Sequence, residues 1–102
     1  MKLLTKEIEK SLPKLYSQEN TPTKEQVAQV KFFTPWSNWT WYATEFDPEE
    51  KIFFGLVEGL DTEFGYFSLA ELESVKGPFG LGIERDVFFT PKKIAEIICD
   101  TP

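Results

Sequence analysis

The chain has 102 residues, of which 41% are hydrophobic, 16% aromatic and 27% charged, with a formal net charge of -6. That size and balance predict a single domain over residues 1–102, burying roughly 65% of its unfolded surface without covalent staples. With no histidine and one cysteine, Cys99, the sequence excludes imidazole acid–base catalysis, histidine-ligated zinc and an internal disulfide.

Leu4, Ile8, Leu12 and Leu15 recur at helical spacing and predict an N-terminal helix. Thr5 is placed to cap it, and Pro13, which lacks an amide and crowds the preceding turn, stops it near Ser11. A turn-rich connector follows over residues 17–23. Residues 27–33 and 39–46 read as strands separated by a turn around Pro35 and Asn38. In the second strand Trp39, Trp41 and Ala43 share one face, and Thr40, Tyr42, Thr44 and Phe46 share the other. Apolar groups on both faces predict a central strand.

An acidic turn over residues 47–51 leads to a returning strand at 52–57. Gly59 and Asp61 mark a second turn before a strand at 63–68. Ser68 and Glu71 form a capping box for a short helix ending by Lys76. Residues 83–89 read as a last strand, and Thr90-Pro91 as the start of a closing helix with Ile94, Ile97 and Ile98 on one side. The expected fold class is α+β: an antiparallel meander sheet of four or five strands with an N-terminal helix, a short helix after the meander and a C-terminal helix.

The charge is uneven. Residues 45–73 carry nine acids against one base, Lys51, and the rest of the chain balances at +2. Phosphate neutralisation needs the reverse pattern, so direct nucleic-acid binding is not expected. A mean hydropathy of -0.29 and the absence of a long apolar run argue against a membrane span. The quickly charged start and the lone cysteine point to a cytoplasmic protein.

Several groups are candidate sites. Trp36, beside Pro35 in a turn, is the tryptophan expected to be exposed, whereas Trp41 is the better core residue. Trp36 and the acids Glu45, Asp47, Glu49 and Glu50 are the candidate contacts for a partner protein. Glu45, Asp47, Glu84 and Asp86 could together hold Mg²⁺ or Mn²⁺, with Arg85 as a cation for developing charge. On a strand, however, Arg85 points away from Glu84 and Asp86. An ion pair of Arg85 with Glu45 or Asp47 is the structural alternative. No metal or cofactor motif is present: the run of Gly77, Gly80 and Gly82 has no following Lys-Ser/Thr and precedes a strand, so it reads as a tight turn rather than a phosphate loop. Cys99 has no base to activate it and reads as an incidental helix residue.

Four motifs occur in order: WTWYATEFDP from Trp39 to Pro48, FGLVEG from Phe54 to Gly59, EFGYFSL from Glu63 to Leu69, and GLGIERD from Gly80 to Asp86. Together they resemble domain-of-unknown-function family 2958, from the first helix to about Phe89. The resemblance implies small bacterial proteins of plasmids, conjugative elements and phages, sometimes a module within a larger mobile-element protein. It brings no activity and no catalytic residues. The leading expectation is therefore a non-enzymatic protein-interaction module of a mobile genetic element with an unidentified protein partner. The alternatives are an acidic DNA mimic that inhibits a host DNA-binding protein, and a carboxylate-based metal-dependent nuclease.

Overall fold

The structure, a computed structural model, describes residues 2–100, with side chains through Ile98; the Cys99 side chain lies outside the described part. The first helix, α1 (Lys6–Ser11), begins as its sequence predicts, with the Thr5 hydroxyl accepting the Ile8 amide at 3.2 Å. It ends before Pro13, where the Leu12 amide folds back on the Ile8 and Glu9 carbonyls.

Among the described residues seven strands follow: β1 (Val27–Ala28), β2 (Val30–Phe33), β3 (Thr40–Asp47), β4 (Ile52–Glu58), β5 (Thr62–Ser68), β6 (Glu84–Arg85) and β7 (Lys92–Lys93). The main antiparallel sheet has the order β5-β4-β3-β2-β6, and β1 pairs with β7 in a separate ribbon. Strands β2 to β5 form the expected meander. Helix α2 (Leu69–Ser74) follows β5, capped by the Ser68 hydroxyl, which accepts the Glu71 amide at 3.0 Å. Helix α3 (Ile94–Asp100) closes the chain.

Both faces of the sheet are covered. On one, Phe53 is fully buried and packs against Phe46, Phe67 and Phe32 with ring centroids 4.6, 5.3 and 5.4 Å away. Leu3, Leu4, Leu12, Leu72 and Ile83 close over this cluster. On the other face Tyr42 and Leu56 pack against Ala28 and the α3 residues Ile94 and Ile97. Alternation along β4 divides the two cores, with Phe53 and Val57 in one and Leu56 in the other.

Four details differ from the sequence expectations. The strand at 27–33 is split, because residues 27–28 leave the main sheet to pair with β7. The strand at 83–89 shrinks to β6, because the Asp86 carboxylate accepts the Phe88 amide at 2.9 Å and turns the chain. Thr90-Pro91 does not open a helix: Lys92 and Lys93 are extended, and α3 starts at Ile94, whose amide donates to the Gln26 carbonyl at 2.9 Å. Ile94 and Ile97 are buried, but Ile98 lies on the exposed side.

Candidate functional site

The site begins with a slip in strand register. Strands β3 and β4 pair regularly from Thr40–Glu58 to Ala43–Gly55, and then Glu45 lies opposite Phe54. Thr44 is the extra residue of a β-bulge, which reverses the face taken by every later side chain. Phe46 therefore joins the Phe53 cluster rather than the Tyr42 face expected from simple alternation. Glu45 is carried onto the face of Tyr42 and Thr44 and is 4% exposed. Two contacts fix the bulge. The Thr44 hydroxyl lies 3.0 Å from Gln26 Oε1 and 3.1 Å from the Phe54 carbonyl. Opposite, a Cβ on Gly55 would lie 1.8 Å from the Tyr42 carbonyl oxygen, so only glycine lets the two backbones approach this closely.

A strap formed by residues 13–21 crosses beside the end of β3. The Phe46 amide donates to the Pro13 carbonyl at 2.9 Å, and Lys14 bridges Phe46 in parallel. Tyr16 takes φ 68, a left-handed conformation that favours few side chains. The chain then aims two backbone amides and one side-chain amide at one carboxylate. Tyr16 N donates to Glu45 Oε1 at 3.0 Å, and Gln18 N and Nε2 donate to Oε2 at 3.0 and 3.4 Å. Gln26 ties the far end, donating to the Thr21 carbonyl at 3.2 Å. Glu45 thus fastens a loop 27 to 29 residues away in sequence.

Between strap and sheet lies a cavity of about 190 Å³. Tyr16, Phe54 and Tyr66 give it an aromatic wall, and Glu19 and Glu45 make it acidic; no basic residue lines it. The Tyr16 and Tyr66 rings are 6.3 Å apart at 57°, and Phe54 and Tyr66 are 5.1 Å apart at 56°. The neighbouring Tyr16 phenol is the foremost cause holding the Tyr66 pKa above the usual phenol value. No ion pair among the described residues includes Glu45.

The cavity adjoins a sheet edge. On its outer side β5 pairs with no strand among the described residues. Tyr66 is exposed there, and a Cβ on Gly65 would meet nothing within 4 Å. From Ile52 to Val75 the chain has five acids (Glu58, Asp61, Glu63, Glu71 and Glu73) and no base.

The structure redistributes the residues singled out in the sequence. Trp36 is half-buried over Gly77, where a Cβ would lie 2.5 Å from its ring, so it is not the exposed tryptophan. Trp39 is, although it stacks on Trp41 at 5.9 Å and 28° as their shared face predicts. Trp41 packs half-buried against the phenylalanine core. Asp47 organises the acidic turn, its carboxylate accepting the Glu49 and Glu50 amides at 2.9 and 3.4 Å. Glu49 and Glu50 are exposed, whereas Glu45 is removed from that turn by the bulge.

Glu84, Arg85 and Asp86 do not join Glu45 and Asp47. Glu84 pairs with Phe33, and Phe33 with Thr40, which places it two strands across and roughly 15 Å along the sheet from Glu45. Instead of pairing with Glu45 or Asp47, Arg85 sends Nη1 to the carbonyls of Lys2 and Leu3 at 2.5 and 3.2 Å. Asp86 faces Lys31 at 3.8 Å on the opposite side of the sheet. Among the described residues no group of three or more acids is placed to hold a metal ion. The acids also fail to form one row. Glu49 and Glu50 sit at one end of β4, Glu58 and Asp61 at the other, and Glu71 and Glu73 on α2.

A second cavity of about 280 Å³ lies on the α3 side, lined by Lys31, Tyr42, Asp86 and Lys92 among others. Burial, reinforced by the charge of Glu58, pushes the Tyr42 phenol up to about 12.

The profile of the family described as "Protein of unknown function (DUF2958)" matches residues 3–98. The chain belongs to this family. The match takes in every strand of the sheet and reaches into α3, beyond the motifs that carried the resemblance. No curated protein and no solved structure matches the chain. No helix among the described residues is long and apolar enough to cross a membrane.

Sequence reasoning missed Tyr16, Gln18, Gln26 and the open edge of β5 as parts of one site. Nothing local in the sequence announces that Tyr16 adopts a left-handed backbone. The signal that existed was Gly55, a glycine inside a strand, which commonly marks a bulge or a close backbone approach.

Proposed function

We propose that the protein is a non-enzymatic interaction module that binds an extended, basic segment of a partner protein as an added strand on β5. The observation that carries this reading is the free outer edge of β5, seven residues long, with Gly65 open and Tyr66 exposed at its centre. An unpaired edge offers a row of amides and carbonyls to a second chain, and side chains alternating along the added strand supply selectivity. Charge complementarity gives the partner its character, since the stretch from Ile52 to Val75, which includes the edge strand, carries five acids and no base. The plasmid or other mobile-element setting follows what the family resemblance implies, and the reading assumes a cytoplasmic protein. The scattering of the acids favours neither a phosphate-like row nor a metal-dependent nuclease.

Selection from a randomised library of seven-residue peptides on the immobilised protein tests this. The expected winners are rich in Lys or Arg and in β-branched residues. Each is then resynthesised with N-methyl groups at alternate amides, in two frames. Strand addition uses the amides of only one edge of the peptide, so one frame loses binding and the other keeps it. No enrichment, acidic winners, or equal tolerance of both methylation frames would refute strand addition.

A further inference from the structure

We propose that the cavity between Tyr16, Phe54, Tyr66 and Glu45 is a binding site for an organic cation, the alkylammonium or guanidinium head of a lysine or arginine side chain. In its peptide form this rests on the strand-addition reading, because Tyr66 belongs to both the cavity and β5.

The inference starts from an imbalance of charge. Glu45 is 4% exposed and its oxygens are supplied with N–H donors, yet no ion pair among the described residues includes it. Hydrogen bonds satisfy its lone pairs without cancelling its charge, and buried carboxylates are ordinarily paired. The field of that charge is strongest in the adjacent cavity, where Glu19 adds to it. A cation entering there gains attraction in a partly dehydrated space.

The remaining walls suit the same ligand. Aromatic faces attract cations through their quadrupoles, most strongly where several rings surround the charge. Tyr16 and Phe54 flank Tyr66 at 6.3 and 5.1 Å, each tilted by nearly 60°, so the rings form an angled cage rather than a flat stack. The volume of about 190 Å³ accepts roughly six heavy atoms, taking the ~30 Å³ each water occupies in the liquid. That is enough for a butylammonium group, or for a guanidinium head with two of its methylenes. An anion is opposed by both carboxylates, and a neutral apolar group leaves the buried charge uncompensated.

Side-chain and amide NMR of the full chain, titrated with n-butylammonium chloride, n-butylguanidinium chloride and neutral n-butanol, tests the site. Saturable shifts are expected at the rings of Tyr16, Phe54 and Tyr66 and at the amides of Tyr16 and Gln18, with the two cations only. Tyr66→Ala, at an exposed position, should weaken binding about five- to tenfold, and Tyr66→Phe should retain it. Glu19→Gln should weaken it without disturbing the amide contacts to Glu45. Equal shifts with butanol, or none at tens of millimolar cation, would overturn the site. A second arm replaces each Lys or Arg of a selected peptide with norleucine in turn. Loss at one position, with shifts at the same rings, identifies that side chain as the ligand. Peptides that still add to β5 without such a position would refute the peptide form of the cation site and leave strand addition standing. Saturable shifts with the free cations, together with no peptide binding to β5, would support a small-cation pocket and refute strand addition.

Discussion

Replacing Glu45 with alanine removes the acceptor that fastens the strap of residues 13–21 to the sheet. Two backbone amides, Tyr16 and Gln18, lose their 3.0 Å partners, and the Gln18 side chain loses its own at 3.4 Å. A hydrogen bond to a charged acceptor is worth ~1.5–3 kcal/mol, and a buried donor left without a partner costs ~1–3 kcal/mol. Two such losses give about 4 kcal/mol if the strap stays in place. The strap can also swing into water and hydrate its amides, which lowers the loss to about 2–3 kcal/mol, while the Phe46–Pro13 hydrogen bond still holds its near end. Against a domain stability of ~5–15 kcal/mol this is large. In thermal unfolding it corresponds to a fall of about 10–20 °C in Tm. Hydrogen exchange adds the location: the Tyr16 and Gln18 amides should lose protection, while those of β4 keep theirs relative to global unfolding. A Glu45→Ala variant within ~0.5 kcal/mol of wild type, with both amides still protected, would refute the role assigned to this carboxylate.

Glycines give the second prediction. Gly55→Ala forces a Cβ to within 1.8 Å of a backbone oxygen and should cost ~3 kcal/mol or more by urea denaturation. Gly59→Ala meets the exposed Trp39 ring at 2.4 Å, which can turn away, and should cost less than ~1 kcal/mol. Among single-tryptophan variants, the one retaining Trp39 should be quenched most by acrylamide and the one retaining Trp36 less, the reverse of the sequence expectation. Finally, the Tyr42 pKa is raised by burial from 10.0 to about 12 in the folded protein. Stability from this group is complete below the unfolded value and declines as pH rises through about 10 to 12. Ultraviolet titration should show a late-ionising phenol that Tyr42→Phe removes, and the same substitution should flatten that decline.

Much of the fold is legible because its determinants are local. Thr5 and Ser68 cap their helices as their positions predict, and the turns at Asp47 and Gly59 set a meander whose strands match the alternating runs. The errors fall where a non-local contact decides. Lys92 and Lys93 are extended because β1 offers them a ladder, which outweighs the helix-start signal of Thr90-Pro91. Phe46 and Glu45 exchange faces because one extra residue, Thr44, enters β3, and no single-strand pattern encodes a bulge fixed by Gln26 and by the Gly55 backbone. The same bulge turned a supposed surface acid into the buried anchor of the candidate site. Exposure of the tryptophans departs from the sequence expectation for a related reason: Trp36 lies over Gly77, some forty residues further along the chain.

In the proposed binding mode, β5 is the edge on which a partner segment is added. Amide hydrogen exchange resolved residue by residue, with and without a saturating selected basic peptide, tests it most directly. Strand addition predicts slowed exchange at alternate amides of residues 62–68, with little change at β6 on the opposite edge. Protection confined to β6, to α3 or to the Glu49–Glu50 turn, with β5 unchanged, would contradict it.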